Sequence, residues 1–159
     1  MSIITEKRKL NSMIKKAKTI FLMGHRDLDL DALGSSIGMS MILKQKRKDC
    51  YLIIDDKTHE LGVQKVLREL EGCIKIIKSE DIEKYINKKE RKNLLIILDT
   101  NKEGLVQNKD VLKKIKNKLV IDHHDIGKDV INDAHMINDT DSSSTCEMIT
   151  DLVEYYDID

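Results

Sequence analysis

The chain carries the sequence KTIFLMGHRDLDLDALGSS at residues 18–36. Its first six residues form a short apolar run that is typical of a buried parallel strand, and apolar residues recur at helical spacing over residues 32–43. The stretch therefore predicts a strand that crosses over directly into a helix. The residues between the two elements become candidates for a functional site.

Four polar side chains alternate along this crossover: His25, Asp27, Asp29 and Asp31. Side chains two residues apart in an extended segment point the same way, so all four can face one side of the strand end. Imidazole and carboxylate groups together suit Mn²⁺, Fe²⁺ or Zn²⁺, and a cation would offset the repulsion among the carboxylates. The alternative is an acidic turn with an Asp N-cap, in which Gly34 and Gly38 pack the helix onto a sheet.

Segments with strand and helix periodicity alternate along the rest of the chain. The predicted strands cover residues 18–23, 50–54, 73–77, 93–98 and 118–121, and the predicted helices cover residues 3–17, 31–45, 63–70, 79–88, 111–115 and 143–155. Such alternation predicts an α/β, Rossmann-like fold with a mainly parallel sheet of about five strands and helices on both faces. The most apolar strand, at residues 93–98, is expected at the centre, and residues 1–159 are expected to form one domain.

The composition argues against several classes of protein. Lys and Arg total 28 and Asp and Glu total 28, so no net charge recruits a polyanion or an anionic membrane. One Phe, four Tyr and no Trp leave few rings for base stacking, which argues against binding of a nucleic-acid polymer. Cys50, Cys73 and Cys146 lack metal-ligand spacing, as in a reduced cytoplasmic protein. No apolar run is long enough to cross a bilayer, so this segment is expected to make no membrane contact.

Polar residues also follow two later predicted strands. Asp99 follows the strand at residues 93–98, and Asp122, His123 and His124 follow the strand at residues 118–121. Sites in parallel α/β sheets lie outside the carboxyl ends of the strands. Taken singly, Asp99 is explained as a loop cap and the His pair as a satisfied turn. Their joint occurrence with the first cluster at three strand ends instead predicts a shared metal or phosphate site.

The last predicted helix opens with Ser143, Ser144 and Thr145. Ser144 and Glu147 fit a capping box, and capping alone explains these residue types. Amides and hydroxyls at a helix N-terminus also bind phosphate oxygens, so the three residues are candidates for substrate binding. The sequence leaves both explanations open.

These motifs together resemble the DHH phosphoesterase superfamily. The resemblance rests on residues 24–35, on Asp99-Thr100, on Asp122-His123-His124 and on residues 143–147. Within that superfamily the chain is most similar to the DHH domain of cyclic di-AMP phosphodiesterases that are tethered in the bacterial membrane. The likeness covers residues 18–156 and implies the fold of an N-terminal DHH domain.

The resemblance implies a metal-dependent phosphodiesterase with two Mn²⁺ ions. The implied ligands are His25, Asp29 and Asp99 for one ion and Asp31, Asp99 and His123 for the other. Asp122 would orient an imidazole, and His124 would act as a catalytic group facing the phosphate or the leaving group. The implied reaction is hydroxide attack on a small nucleotide substrate, cyclic di-AMP, to give linear pApA.

The resemblance also implies that residues 1–159 are a fragment of a longer protein. Relatives carry a further metal-ligating aspartate and a DHH-associated substrate-binding domain that these residues lack, so weak or absent turnover is expected. A cytoplasmic location, a membrane-tethered parent and a homodimer are further expectations. Two alternatives remain open: an oligonucleotide phosphodiesterase or pyrophosphatase of the same superfamily, and a non-catalytic domain that binds nucleotide or a partner.

Three places depart from the pattern of the relatives. Leu28 replaces a proline of the first motif, and Asn101 replaces a histidine after the second. Asp125 and Ile126 stand where close relatives have an Arg pair. Without the histidine and the Arg pair, a lower affinity for phosphate is expected, which in turn affects the choice of substrate.

Overall fold

A computed structural model describes residues 2–159 and has one six-stranded sheet at its centre. The strands are β1 (Thr19–Met23), β2 (Asp49–Ile53), β3 (Ile76–Ile77), β4 (Asn93–Leu98), β5 (Lys118–Asp122) and β6 (His135–Asn138). Their order is β3-β2-β1-β4-β5-β6, and every neighbouring pair is parallel. The predicted α/β fold with a mainly parallel sheet is confirmed, and β4 lies beside β1 at the centre as expected.

The helices alternate with the strands. They are α1 (Lys7–Lys16), α2 (Leu30–Gln45), α3 (Leu61–Glu69), α4 (Lys109–Lys114) and α5 (Thr145–Tyr155). Short 3-10 helices lie at Ile3–Glu6, Ser79–Lys84, Glu90–Lys92 and Glu103–Leu105. Among residues 2–159, no helix has both the length and the hydropathy that crossing a membrane requires.

The structure differs from the sequence prediction in three elements. β6 is an additional strand, in which two polar residues flank only two apolar ones, so it lacks the longer apolar run that marks the central strands. The strand predicted at residues 73–77 keeps only Ile76–Ile77. The helix predicted at residues 79–88 is a 3-10 helix that ends at Lys84. The two strands lie at the edges of the sheet, where burial constrains the sequence least.

Side chains alternate between the two faces of the sheet along each strand, and helices cover both faces. One face packs against α1, α2 and α5 in a cluster that includes Ile20, Leu22, Leu33 and Ile149. The other packs against α4 and the 3-10 helix Ser79–Lys84 in a cluster that includes Phe21, Ile97, Leu112 and Ile82. Each such side chain contributes about 1.5–3 kcal/mol to the free energy of unfolding when it is fully buried.

Two glycines let α2 and α5 approach each other closely. A Cβ atom added at Gly34 would lie 2.6 Å from Cys146 Sγ, and one added at Gly38 would lie 2.6 Å from Ile149 Cγ2. No ordinary side chain fits these gaps without a shift of its neighbour. The close contact brings the first turn of α2 against the N-terminus of α5.

The winding of the sheet reverses between β1 and β4. The chain adds β2 and β3 on one side of β1 and then returns to add β4, β5 and β6 on the other. Met23 pairs with Ile97, and Leu98 pairs with Ile121, so the carboxyl ends of β1, β4 and β5 lie at the same edge. Ligands of open parallel sheets bind at such a reversal.

Candidate metal centre

His25 and Asp29 belong to the loop that joins β1 to α2. Asp29 is the N-cap of α2 and accepts a hydrogen bond from the N–H of Ala32 at 2.9 Å. The His25 ring donates through Nδ1 to the carbonyl oxygen of Arg26 at 2.7 Å. Its Nε2 lies 3.4 Å from Asp29 Oδ1 and 3.3 Å from Asp99 Oδ2. His25, Asp29 and Asp99 therefore form one group of candidate metal ligands.

Asp31 lies in the first turn of α2 and faces the N-terminus of α5. Its carboxylate accepts the N–H of Thr145 at 3.1 Å and the N–H of Cys146 at 2.7 Å. Burial acts to raise the pKa of Asp31, but these hydrogen bonds and a contact with Asp99 outweigh burial and lower the pKa. His123 Nε2 lies 3.5 Å from Asp31 Oδ2 and 3.5 Å from Asp99 Oδ1. Asp31, Asp99 and His123 thus form a second cluster.

Asp99 lies between the two clusters. Only 2% of its side chain is exposed, and its φ of 65° falls in the left-handed region, which Asp tolerates better than most residues. Burial raises the pKa of Asp99, and the nearby Asp31 carboxylate raises it further. The hydrogen bond to Asp99 in turn raises the pKa of His25 to about 9. Thr145 Oγ1 donates to Asp99 Oδ1 at 2.9 Å.

The donor set fits a divalent cation. Within residues 2–159, the ion pairs of these carboxylates are all with histidines, and none is with Lys or Arg. Carboxylates that lie close together without a Lys or Arg partner repel one another and destabilise the fold, and a bound cation would offset this repulsion. Imidazole and carboxylate ligands suit Mn²⁺, Fe²⁺ and Zn²⁺. The structure brings together all five residues that were predicted as metal ligands, and their ligand role stays a prediction.

Asp122 and His124, which were predicted as catalytic residues, form a hydrogen-bonded pair. Asp122 is fully buried, and its Oδ1 accepts hydrogen bonds from His124 Nδ1 at 2.7 Å and from the N–H of His123 at 2.9 Å. Burial acts to lower the pKa of His124, but the bond to Asp122 outweighs burial and raises the pKa. The His124 side chain is 53% exposed. One ring nitrogen is therefore fixed, and the other is accessible.

A cleft of about 400 Å³ opens beside these side chains. Its lining includes His25, Asp29, Asp99, Asn101, Asp122 and His124. The cleft thus contacts one candidate ligand group and the Asp122–His124 pair together. A molecule that binds there would meet both sets of side chains.

The three residues predicted to bind substrate are engaged by the protein itself. The Ser144 hydroxyl accepts the N–H of Glu147 at 3.0 Å, and Glu147 accepts the hydroxyl of Ser143 at 2.7 Å. Thr145 donates its hydroxyl to Asp99 and its N–H to Asp31. The first amides of α5 therefore bind carboxylates, and substrate binding by these three residues stays a prediction.

Sequence reasoning missed the residues that hold the first motif in place. Asp56 accepts the N–H groups of Asp27 at 3.1 Å and Leu28 at 2.9 Å. Gln107 donates to Asp56 at 2.8 Å and to the carbonyl oxygen of His25 at 2.7 Å. Asp56 lies three residues after the end of β2, so the presence of an acidic residue beyond a strand could have marked it as well. Gln107 carries no such signal.

Asn101 is a further residue that was not assigned a role. Its side chain is buried, and Nδ2 donates to Asp122 Oδ2 at 2.7 Å. Nδ2 also lies 3.3 Å from the carbonyl oxygen of His124 and 3.2 Å from that of Asp125. The Oδ1 atom of Asn101 is buried without a hydrogen-bond partner among the described residues. Asn101 therefore links the end of β4 to the loop that carries the His pair.

Comparison with known proteins agrees with this fold and arrangement. The family described as "DHH family, N-terminal domain" matches residues 19–159. The cyclic-di-AMP phosphodiesterase PdeA of Listeria monocytogenes serotype 1/2a (strain 10403S) is 30% identical over 148 residues, and the cyclic-di-AMP phosphodiesterase GdpP of Bacillus subtilis (strain 168) is 30% identical over 151 residues. Each match covers 92% of this chain, which spans only 22% of the length of either relative.

A solved structure shows the same fold. An exopolyphosphatase-related protein from Bacteroides fragilis superposes with a TM-score of 0.73 at 22% sequence identity, covering 97% of this chain and 45% of that one. The family match covers most of the chain, and it includes every residue of the candidate metal centre. The chain therefore belongs to the DHH family, whose N-terminal domain it matches.

Proposed function

We propose that this domain carries the metal centre of a phosphodiesterase that hydrolyses cyclic di-AMP to linear pApA. The observation that carries the proposal is the position of Asp99, whose two oxygens lie 3.3 Å from His25 Nε2 and 3.5 Å from His123 Nε2. One buried carboxylate between two imidazole–carboxylate clusters is an arrangement suited to a pair of cations. The substrate is suggested by the two relatives, both of which are cyclic-di-AMP phosphodiesterases.

Two Mn²⁺ ions would be held by the two clusters described above, with Asp99 shared. The proposed ligands are His25, Asp29 and Asp99 for one ion and Asp31, Asp99 and His123 for the other. Such ions supply an activated hydroxide and stabilise the charge that develops on the phosphate oxygens. The N-terminus of α5 would fix one ligand, because Asp31 accepts two of its amides.

The Asp122–His124 pair would supply the proton that the leaving oxygen takes up. Asp122 fixes Nδ1–H of His124 and leaves Nε2 accessible. The raised pKa of His124 favours the protonated ring, which can donate a proton to the leaving oxygen of the cleaved ester. Because Asp122 is held by Asn101, the ring orientation is set before substrate binds.

The proposal extends to the location, partner and assembly of the parent protein. We propose a cytoplasmic location for this domain within a membrane-tethered parent, with a small nucleotide as its partner and a homodimer as its assembly. Because the chain spans 22% of the length of each relative, we expect weak or absent turnover from these residues alone.

Hydrolysis assays in Mn²⁺ test the proposal, with cyclic di-AMP, pApA and pyrophosphate as competing substrates and the full-length protein as the enzyme. We expect preferential cleavage of cyclic di-AMP, and Asp99→Asn should reduce the rate by about 100-fold or more. The matched control is Asp151→Asn, which removes an exposed carboxylate of α5. Faster cleavage of pApA or pyrophosphate would favour the oligonucleotide or pyrophosphate alternative. Metal binding without hydrolysis of any of the three would favour the non-catalytic one.

A further inference from the structure

A dense group of cations lies at the edge of the sheet opposite the candidate metal centre. Because all six strands run in the same direction, the residues that precede them gather at one edge. The residue immediately before the strand is a lysine in four cases: Lys18 before β1, Lys48 before β2, Lys75 before β3 and Lys92 before β4. The chain as a whole has no net charge, so the excess of lysine at this edge is a local feature.

Part of this basic edge is concave. A cleft of about 400 Å³ lies between α1 and the segment that leads into β4. Lys9 and Lys16 line it from α1, and Arg91 and Lys92 line it from the other side. Met13, which is partly exposed, adds apolar surface, and the buried Leu94 lies at the base of the same lining. Two walls that are far apart in sequence thus present cations to the same space.

These four cations lack an acidic partner among the residues that the structure describes. Within residues 2–159, Lys9, Lys16, Arg91 and Lys92 form no ion pair, whereas Lys116 nearby is paired with Glu90 at 3.3 Å. The pKa of the neighbouring Lys48 is lowered by burial and, in part, by the positive charges of Lys92 and Lys46 around it.

Helix stability does not explain the group. Lys16 lies in the last turn of α1, where a cation stabilises the exposed carbonyl groups. Lys9 lies in the first turn, where the helix dipole disfavours a cation. Arg91 and Lys92 belong to another segment altogether. Their convergence on one cleft therefore calls for a ligand rather than for a local structural role.

We infer that this cleft binds a small soluble anion that carries two or more phosphoryl groups. Four cations on two facing walls match a ligand with several negative charges, and the partly exposed side chain of Met13 suits contact with a base or another uncharged group. A concave site of this size accepts a nucleotide-sized molecule, whereas a flat bilayer would contact only its rim. The proposed site is about 15–20 Å from the candidate metal centre, the length of the intervening strands.

Titration of the 159-residue chain with ATP in EDTA tests the inference. Without divalent ions the acidic metal centre repels the nucleotide, so binding reports on the basic cleft. We expect ATP to shift the backbone NMR signals of Lys9, Ala17 and Leu94 and to leave those of His25 and Asp99 unchanged. Added salt should weaken the binding, because the attraction is electrostatic.

A pair of double variants provides the matched comparison. Lys9→Gln with Arg91→Gln should raise the Kd for ATP by about tenfold or more. Lys65→Gln with Arg68→Gln removes two exposed cations of α3 and should leave the Kd within about twofold. An equal loss in both double variants, shifts confined to the carboxyl edge, or binding only to vesicles of anionic lipid would each overturn the assignment. Circular dichroism and thermal unfolding confirm that the variants are folded.

Discussion

Asn101 holds the buried carboxylate of Asp122 through a hydrogen bond of 2.7 Å from Nδ2 to Oδ2. The other oxygen of Asp122 accepts a hydrogen bond from the His124 ring. The side-chain amide of Asn101 therefore orients the exposed imidazole through Asp122. The same Nδ2 lies within hydrogen-bonding distance of two carbonyl oxygens in the loop after β5. One buried side chain thereby fixes both the loop and the orientation of its histidine.

Replacement of Asn101 should therefore destabilise the domain. Asn101→Ala leaves Asp122 Oδ2 buried without its donor, and we expect a loss of about 1.5–3 kcal/mol in the free energy of unfolding. Asn101→Asp keeps the shape but places two carboxylates together, so a larger loss is expected at neutral pH. Urea denaturation measures both values, with Asn132→Ala at an exposed position as the control. An Asn101→Asp variant as stable as the wild type would contradict this role.

Divalent ions should stabilise the domain through Asp99. Ligand at about 100 times its Kd adds about 2.7 kcal/mol, which raises the Tm of a domain of this size by roughly 5–10 °C. Asp99→Asn should reduce the Mn²⁺-induced shift to less than about 1 °C, because the two clusters lose the negative charge of their shared carboxylate and one of its two oxygens. EDTA should reverse the shift in the wild type. An undiminished shift in Asp99→Asn, with Asp151→Asn also unchanged, would place the metal elsewhere.

The contact between α2 and α5 should tolerate no added atom at Gly38. Gly38→Ala gains helix propensity, but its Cβ would meet Ile149 Cγ2, which is attached to a stiff β-branched carbon. We expect net destabilisation of about 1–2 kcal/mol, as the overpacking exceeds the propensity gain. Gly104→Ala is the control, because nothing lies within 4 Å of its added Cβ. Equal stability of the two variants in thermal unfolding would argue against the close approach.

Asp56 should make the stability depend on pH. Burial acts to raise the pKa of Asp56, but hydrogen bonds from Gln107, Leu28 and Asp27 outweigh burial and lower the pKa. A lowered pKa adds stability above the unfolded-state value, and that stability disappears as the pH falls through the folded-state pKa. Asp56→Asn should therefore cost about 1–2 kcal/mol near neutral pH, and the difference from the wild type should shrink below about pH 4. Denaturant titrations at several pH values measure this difference, and a constant difference would contradict the prediction.

The central sheet and the motif residues could be predicted because their signals are local. Buried strands such as 93–98 are continuous apolar runs, and the parallel arrangement then fixes which residues share an edge. His25, Asp99 and Asp122 each follow or end such a strand, so their proximity follows from topology alone. The family match and the strand order confirm the predicted family and fold.

Contacts between distant segments could not be predicted in the same way. Gln107 and Asp56 are 51 residues apart, and nothing in the sequence near Gln107 marks it as a partner. The lysines of α1 carry no motif in the sequence, and only the fold places Arg91 and Lys92 opposite Lys9 and Lys16. β6 was missed because a half-buried edge strand of four residues needs no apolar run.

The uniform strand direction also separates the charges of a formally neutral chain. The candidate metal ligands Asp29, Asp31 and Asp99 lie beyond one end of the sheet, and the lysines that precede β1, β2, β3 and β4 lie at the other end, so these two groups give the ends opposite charges. Such molecules attract one another head to tail in dilute buffer near their isoelectric point. We therefore expect solubility at neutral pH to increase when sodium chloride is added, since counter-ions weaken this mutual alignment.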